Sequence, residues 1–209
     1  VTSSIDALGK QKTYTYNELG YPISITDENG NVSKISYTAT AQTKQIQNPD
    51  GSTIDNTYDG LDRLIEEKYS NGLITAYQYD TNNRVIKLTD NQGINESYTY
   101  NAHGKRLTET NSLGETTTYT YDKQDNLVDV LHADKTKETF TYDEIGNMLT
   151  STDAEGKTTT YNYDDNGNLA EKKDAKGRTT HYTYDAINHV ATEKNPAGGT
   201  ITYTYDVLG

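Results

Sequence analysis

Carboxylates, histidines, tyrosines and hydroxyl side chains are the residues that could do chemistry in this chain. Carboxylates number 31 against 19 Lys and Arg, and many follow a tyrosine: Asp59, Asp80, Asp122, Asp143, Asp164, Asp185 and Asp206. Clustered aspartates can ligate calcium, but calcium-binding rolls use a roughly nine-residue glycine-rich repeat, and EF-hands need closely spaced ligands ending in Glu. Neither pattern is present. His103, His132, His181 and His189 could hold a transition metal, yet they fall at four different phases of the sequence period and form no repeated ligand set. The 19 tyrosines could stack on sugar rings. Ser and Thr are abundant, but no nucleophile elbow or phosphate-cradling loop accompanies them, and the absence of cysteine excludes thiolate chemistry and disulfides. The chain reads as non-enzymatic, with no cofactor and no metal.

The tyrosines set the organisation. Ten of them, Tyr16, Tyr37, Tyr58, Tyr79, Tyr100, Tyr121, Tyr142, Tyr163, Tyr184 and Tyr205, recur at one constant interval, a 21-residue period without insertion or deletion. Another tyrosine stands two positions earlier in most units, so that only Tyr21 and Tyr69 lie outside the pattern. A period of this length, held in phase throughout, marks a repeat architecture in which each unit contacts its neighbours. Residues 1–209 form a single array of about ten such units, expected to be a fragment of a much longer chain.

Composition alone points elsewhere. Leu, Ile, Val and Phe make up roughly a sixth of the residues and the net charge is −12, values typical of disorder. Periodic tyrosine reverses that reading: it combines apolar area, β-propensity and a hydroxyl that tolerates water, so it can stabilise a thin wet sheet with little core. The acidic balance argues against nucleic acid as a partner. No apolar run is long enough to span a membrane, and membrane insertion by this segment is not expected.

Two turn signals punctuate each unit. After the second tyrosine comes Asp or Asn in nine units, Thr38 being the exception, and three residues on a turn former such as Gly20, Asp62, Asn83, Gly104, Asp125, Gly146, Gly167 or Asn188. A second turn carries Gly9, Gly30, Gly51, Gly72, Gly93, Gly114, Gly156, Gly177 and Gly198. Lys135 breaks that series, and its turn is expected to be looser or of another type. Between the turns lie a short segment opening on an aliphatic pair, as in Leu64-Ile65 or Leu127-Val128, and a β-prone segment such as Thr116–Tyr121, with its tyrosines on one face and threonines on the other.

Strand, turn, strand, turn within each unit gives antiparallel hairpins laid side by side in a continuous ribbon, which sheet twist must curve into a spiral. The fold class is therefore all-β. A parallel β-solenoid with one coil per repeat fits the same spacing, whereas a propeller blade needs about twice as many residues.

The units Tyr119-Thr120-Tyr121-Asp122, Tyr161-Asn162-Tyr163-Asp164-Asp165-Asn166-Gly167-Asn168-Leu169 and Tyr182-Thr183-Tyr184-Asp185 resemble the Rhs, or YD, repeat, and the resemblance covers essentially the whole chain. Departures are local: Ile35, Asn56 and Phe140 replace the first tyrosine, and the early units are expected to be the least regular. The resemblance implies a ribbon spiralling into a hollow shell, as in bacterial polymorphic toxins, wall-associated YD-repeat toxins, toxin-complex cocoon subunits and teneurins. It further implies a secreted or bacterial cell-surface location and an enclosed partner, the C-terminal toxin domain of the parent chain. The alternative is a surface adhesion or carbohydrate-binding module contacting a cell-surface glycan. Exposed strand edges add the expectation of self-association.

Toxin shells of this resemblance carry an aspartyl self-cleavage segment built around Asp-Pro-x-Gly. Asn48-Pro49-Asp50-Gly51 and Asn195-Pro196-Ala197-Gly198 have Asn in place of Asp and fall in the phase of the ordinary glycine turn, so no cleavage centre is assigned.

Overall fold

The computed structural model describes residues 2–206. It contains strands and turns with no helix among them, and every pairing between strands is antiparallel. The fold is thus all-β, built from hairpins rather than from the coils of a parallel solenoid.

Two compact units divide the chain: one runs to Tyr98 and includes Asn111–Leu113, and the other comprises Thr99–Thr110 and the residues from Gly114 onward. The first contains β1 (Ser3–Ile5), β2 (Gln11–Tyr16), β3 (Pro22–Thr26), β4 (Val32–Tyr37), β5 (Thr43–Gln47), β6 (Thr53–Tyr58), β7 (Leu64–Tyr69), β8 (Ile74–Tyr79), β9 (Val85–Asp90) and the start of β10 (Asn95–Tyr100). The second contains β11 (Arg106–Thr110), β12 (Thr116–Tyr121), β13 (Leu127–Leu131), β14 (Lys137–Tyr142), β15 (Met148–Thr152), β16 (Thr158–Tyr163), β17 (Leu169–Lys173), β18 (Thr179–Tyr184), β19 (Val190–Lys194) and β20 (Thr200–Thr202). Within each unit a strand pairs with those before and after it in sequence.

Both turn signals encode the same turn. Its first residue donates its N–H to the carbonyl four residues on and accepts from the N–H three residues on, as in Asp59 with Arg63 (2.9 Å) and Asp62 (3.1 Å), or Asp153 with Lys157 (3.0 Å) and Gly156 (2.9 Å). This geometry needs a positive φ at the fourth position, which Gly156 adopts at 80° and Gly177 at 78°. Successive turns start at Asp6, Asn17, Asp27 and Thr38, so that a longer step alternates with one shorter by a single residue.

Lys135 corrects the expectation of a looser turn. His132 donates to the Thr136 carbonyl and Lys135 to that of His132, both at 3.0 Å, with Lys135 itself at φ 73°. Hydrogen bonding holds a residue with a Cβ in the conformation glycine takes elsewhere. Ala41 does the same at φ 66°, and the Thr38 hydroxyl accepts the Gln42 N–H at 3.0 Å where other turns use a carboxylate or amide.

The aliphatic pairs are β-bulges. Tyr58 faces Leu64 while Thr57 faces Glu66, so Leu64 and Ile65 together oppose one tyrosine; Leu127 and Val128 stand likewise against Tyr121. The same register shift recurs at Tyr16, Tyr37, Tyr79, Tyr142, Tyr163 and Tyr184. Early units are as regular as later ones: Ile35 pairs with Ile46 in an ordinary register, and β6, with Asn56 in the tyrosine position, keeps five paired residues with β7. Backbone pairing sets that register, so the missing ring does not disturb it.

Burial is thin. Among the described residues Val130, 7% exposed, is the only buried apolar side chain, no polar side chain is buried, and none of either kind is fully buried. Cohesion therefore rests on strand pairing, half-buried rings and hydrogen bonds.

Candidate functional site

A regularly recurring contact is that between the second tyrosine of a repeat and its acceptor. In eight repeats the second tyrosine sends its hydroxyl back to the backbone carbonyl of the residue that opens the preceding strand. Tyr37 donates to Pro22 (2.8 Å), Tyr58 to Thr43 (2.8 Å), Tyr79 to Leu64 (2.7 Å), Tyr121 to Arg106 (3.0 Å) and Tyr142 to Leu127 (2.9 Å). Tyr163, Tyr184 and Tyr205 reach Met148, Leu169 and Val190, each at 2.9 Å. Tyr16 and Tyr100 stand at the same phase, ending β2 and β10.

Each acceptor lies two residues beyond the nearest paired position. Between β7 and β8, for example, the register covers Glu66–Lys68 against Ile74–Ala76, and Leu64 falls outside it. A phenol is long enough to bridge the gap where the ladder has parted, and it supplies the donor there.

Partial burial pushes the pKa of Tyr37, Tyr79, Tyr121, Tyr142, Tyr163 and Tyr184 upward, because the ionised phenolate would lose water. The first tyrosine of the motif has different partners. Tyr77 donates to Glu67 (2.8 Å) and Tyr98 to Glu96 (2.6 Å), while Tyr161 meets the Ser151 hydroxyl at 3.2 Å. Burial first, then the Glu67 hydrogen bond, pushes Tyr77 up to about 12.

The aspartates are turn formers. One oxygen of Asp59 accepts the N–H groups of Leu61 (2.9 Å) and Arg63 (3.1 Å), and the other takes the Arg63 guanidinium (2.7 Å). Asp80 with Arg84 and Asp174 with Arg178 repeat the arrangement. The arginine bond is the largest influence holding each of these three carboxyls below the usual range. These oxygens are occupied by the turn itself.

Each histidine meets its own carboxylate: His103 with Asp125 (2.6 Å), His132 with Glu138 (2.8 Å), His181 with Glu171 and His189 with Asp185 (both 3.5 Å). Among the described residues no group of three potential ligands could hold a metal ion. Asn48–Gly51 and Asn195–Gly198 adopt the common turn, with Gly51 at φ 86° and Gly198 at φ 89°; Gly30, Gly72, Gly93 and Gly114 also lie at positive φ.

Sequence reasoning missed the bonds that tie one turn to the next. Where the fourth turn residue is Asp or Asn instead of Gly, its side chain meets the preceding repeat: Thr40 donates to Asp62 (2.7 Å), Arg63 to Asn83 (3.0 Å) and Asn168 to Asn188 (2.9 Å), and His103 meets Asp125. Arg63 also lies over the Tyr79 ring, 4.9 Å from its centroid. The signal was available: a non-glycine residue at a positive-φ site with a polar partner one repeat earlier in the sequence.

Identical turns, recurrent bulges and tyrosine hydroxyls that each bind the preceding hairpin define a structural β-hairpin-repeat protein. Residues 40–209 match the family model described as Teneurin YD-shell, and residues 1–32 match the RHS Repeat model. The chain belongs to the Teneurin YD-shell family, whose repeats are structural in nature.

Solved toxin-complex structures share the fold. The crystal structure of TcdB2-TccC3-TEV aligns with a TM-score of 0.75 at 16% identity, covering 99% of this chain and 13% of that one. TcdB2-TccC3 gives 0.72 at 15%, covering 93% and 12%, and the Photorhabdus luminescens Tc holotoxin pore gives 0.58 at 16%, covering 93% and 14%. The chain thus spans about an eighth of the solved chains it matches. No curated protein matches it.

Proposed function

We propose that this chain is a non-catalytic wall segment of a YD shell, part of a longer secreted or surface-displayed bacterial toxin whose C-terminal toxic domain the shell encloses. The observation that carries this reading is the near absence of a buried core in a chain whose hairpins are tied one to the next through Tyr37 to Tyr205. Such a ribbon has two wet faces, as a container wall requires, and extends by adding units without a new core. Ten units then act as one array, and the motif tyrosines and turn glycines serve structure.

Limited proteolysis of the full-length parent protein tests the enclosure. A C-terminal domain resistant to protease in the intact protein, and cleaved once denaturant opens the repeats, is the expected result; a C-terminal domain cleaved at once in the native protein overturns it.

A glycan-binding role draws on one local feature, a cavity of about 430 Å³ lined in part by Leu107, Tyr119, Tyr121 and His103. Its test is saturable binding of a neutral oligosaccharide that is lost in Tyr119→Ala.

A further inference from the structure

On the edge of the ribbon formed by the glycine turns, neighbouring turns are zipped together in one stretch. The Ser70 hydroxyl accepts the Thr53 N–H (3.1 Å) while the Ser70 N–H binds the Thr53 carbonyl (2.9 Å). Asn91 makes the same pair of bonds with Ile74 (3.0 and 3.2 Å), and the Ser112 hydroxyl accepts the Asn95 N–H (2.9 Å). Ser70, Asn91 and Ser112 all occupy the second position of their turns.

At that position the turn Asn195–Gly199 has Pro196, and the residue it would bind is Thr179. Proline offers neither a backbone N–H nor a side-chain acceptor, so the zip cannot form. A cavity of about 600 Å³ lies there, lined by Thr179 and Pro196 together with Arg178, His181 and Lys194. A second, of about 360 Å³, shares Arg178 and Pro196 and adds Lys172. Ala133, also unable to supply a side-chain acceptor, lines another cavity at the equivalent place, with Thr116 in the role of Thr179. At Pro196 and Ala133, then, a turn without the zipping side chain borders an open notch.

The notch beside Pro196 is basic in a chain of net charge −12. His181 and Lys194 are direct cross-strand partners on one face, about 5 Å apart at Cβ. Lys194 has no ion pair among the described residues, whereas Lys172, paired with Thr180, stands on the opposite face and is not part of this notch. Arg178 uses Nε and Nη2 on Asp174, leaving Nη1 uncommitted to that carboxylate. The acidic groups nearby are partnered: Asp174 by Arg178, Glu171 by His181 at 3.5 Å, and Glu193 by the Tyr203 hydroxyl at 3.2 Å. Turn amides contribute no donors, since those of Ala197, Gly198 and Gly199 are bound to Asn195.

We propose that the notch between turns Asp174–Arg178 and Asn195–Gly199 binds a tetrahedral oxyanion, a sulfate or phosphate ester, held by Lys194, Arg178 and His181. Arg and Lys donors converging on a recess suit a group with several acceptor oxygens. The site does not depend on the shell reading.

Amide chemical shifts followed during titration with inorganic sulfate, glycerol phosphate and a sulfated disaccharide test it, with sodium chloride at matched ionic strength as the control. Saturable shifts confined to residues around 171–181 and 193–199 are expected, weakened at least about threefold in Lys194→Ala. Tighter binding of the disaccharide or of glycerol phosphate than of sulfate identifies the source of the ester. Pro196→Ser should also weaken binding, by restoring the zip to Thr179 without removing a charge. Shifts that chloride reproduces, that fail to saturate for all three probes, or that are unchanged in both variants overturn the proposal.

Discussion

Replacing Tyr142 by Phe removes one oxygen and nothing else. The lost hydroxyl lies 2.9 Å from the Leu127 carbonyl at the bulge opening β13, two residues beyond the β13–β14 register. A net intramolecular hydrogen bond contributes about 1 kcal/mol, and because the site is half-buried, water recovers part of what is lost. The expected destabilisation is therefore about 0.5–1 kcal/mol, felt where β13 meets β14. Tyr161→Phe is the matched control: the ring is retained, and the lost partner is only the Ser151 hydroxyl at 3.2 Å, which solvent can replace. Its expected cost is below about 0.5 kcal/mol. The chain itself makes this comparison, since Ile35, Asn56 and Phe140 lack the phenol at the first motif position while all ten second positions keep it.

Repeat arrays need not unfold in a single step, so the assay is amide hydrogen exchange resolved by peptide. Protection in the peptide spanning β13 and β14 should fall by a factor of about two to five in Tyr142→Phe and change little in distant strands. Equal losses in the two variants would refute a special role for the bulge-directed hydroxyl.

Other outcomes follow from the turns and the titrating groups. Its two chain neighbours aside, no residue has an atom within 4 Å of a Cβ built on Gly156, so Gly156→Val is disfavoured by its φ of 80° rather than by a clash and should cost about 1–2 kcal/mol, whereas Lys135→Gly should stabilise; a lower denaturation midpoint for the glycine variant contradicts this. Folded-state pKa values of Tyr37, Tyr79, Tyr121, Tyr142, Tyr163 and Tyr184 lie above the ordinary 10, so their contribution is complete below about pH 10 and is lost as pH rises through the raised values. Phenolate absorbance should lag behind free tyrosine and appear together with loss of the β circular dichroism signal; ionisation at the ordinary pKa with the signal intact would count against it. Asp59, Asp80 and Asp174 have depressed folded values, so their contribution is present above about pH 4 and lost as pH falls further, which acid titration of the same signal reads. The isolated polypeptide should self-associate with rising concentration through strand edges, and a constant sedimentation coefficient would exclude that.

Local chemistry was legible in the sequence and register was not. Strand and turn positions followed from the phase of the repeat because each turn needs a particular backbone conformation that Gly30 or Gly177 announces. Unity of the two turn types was hidden: one follows a tyrosine and the other precedes the β-prone strand, and hydrogen bonds in the turn override the preference for glycine at Lys135 and Ala41. The aliphatic pairs read as half of a strand alternation because a bulge is a property of two strands, visible only once Tyr58 is set against Leu64. The acceptors of the tyrosines, and the zip made by Ser70, Asn91 and Ser112, likewise depend on how far one hairpin is offset from the next.

The alternation of longer and shorter steps between turns limits how such a protein can change in length. Deleting one residue from β14 would turn every later side chain of that strand to the opposite face and pull Tyr142 away from Leu127. Duplicating or excising one whole repeat leaves every remaining phenol one hairpin away from an acceptor. Genes for such repeat arrays are therefore free to grow and shrink by whole units, while a single-codon slip inside a strand carries a structural penalty that a surface loop would escape.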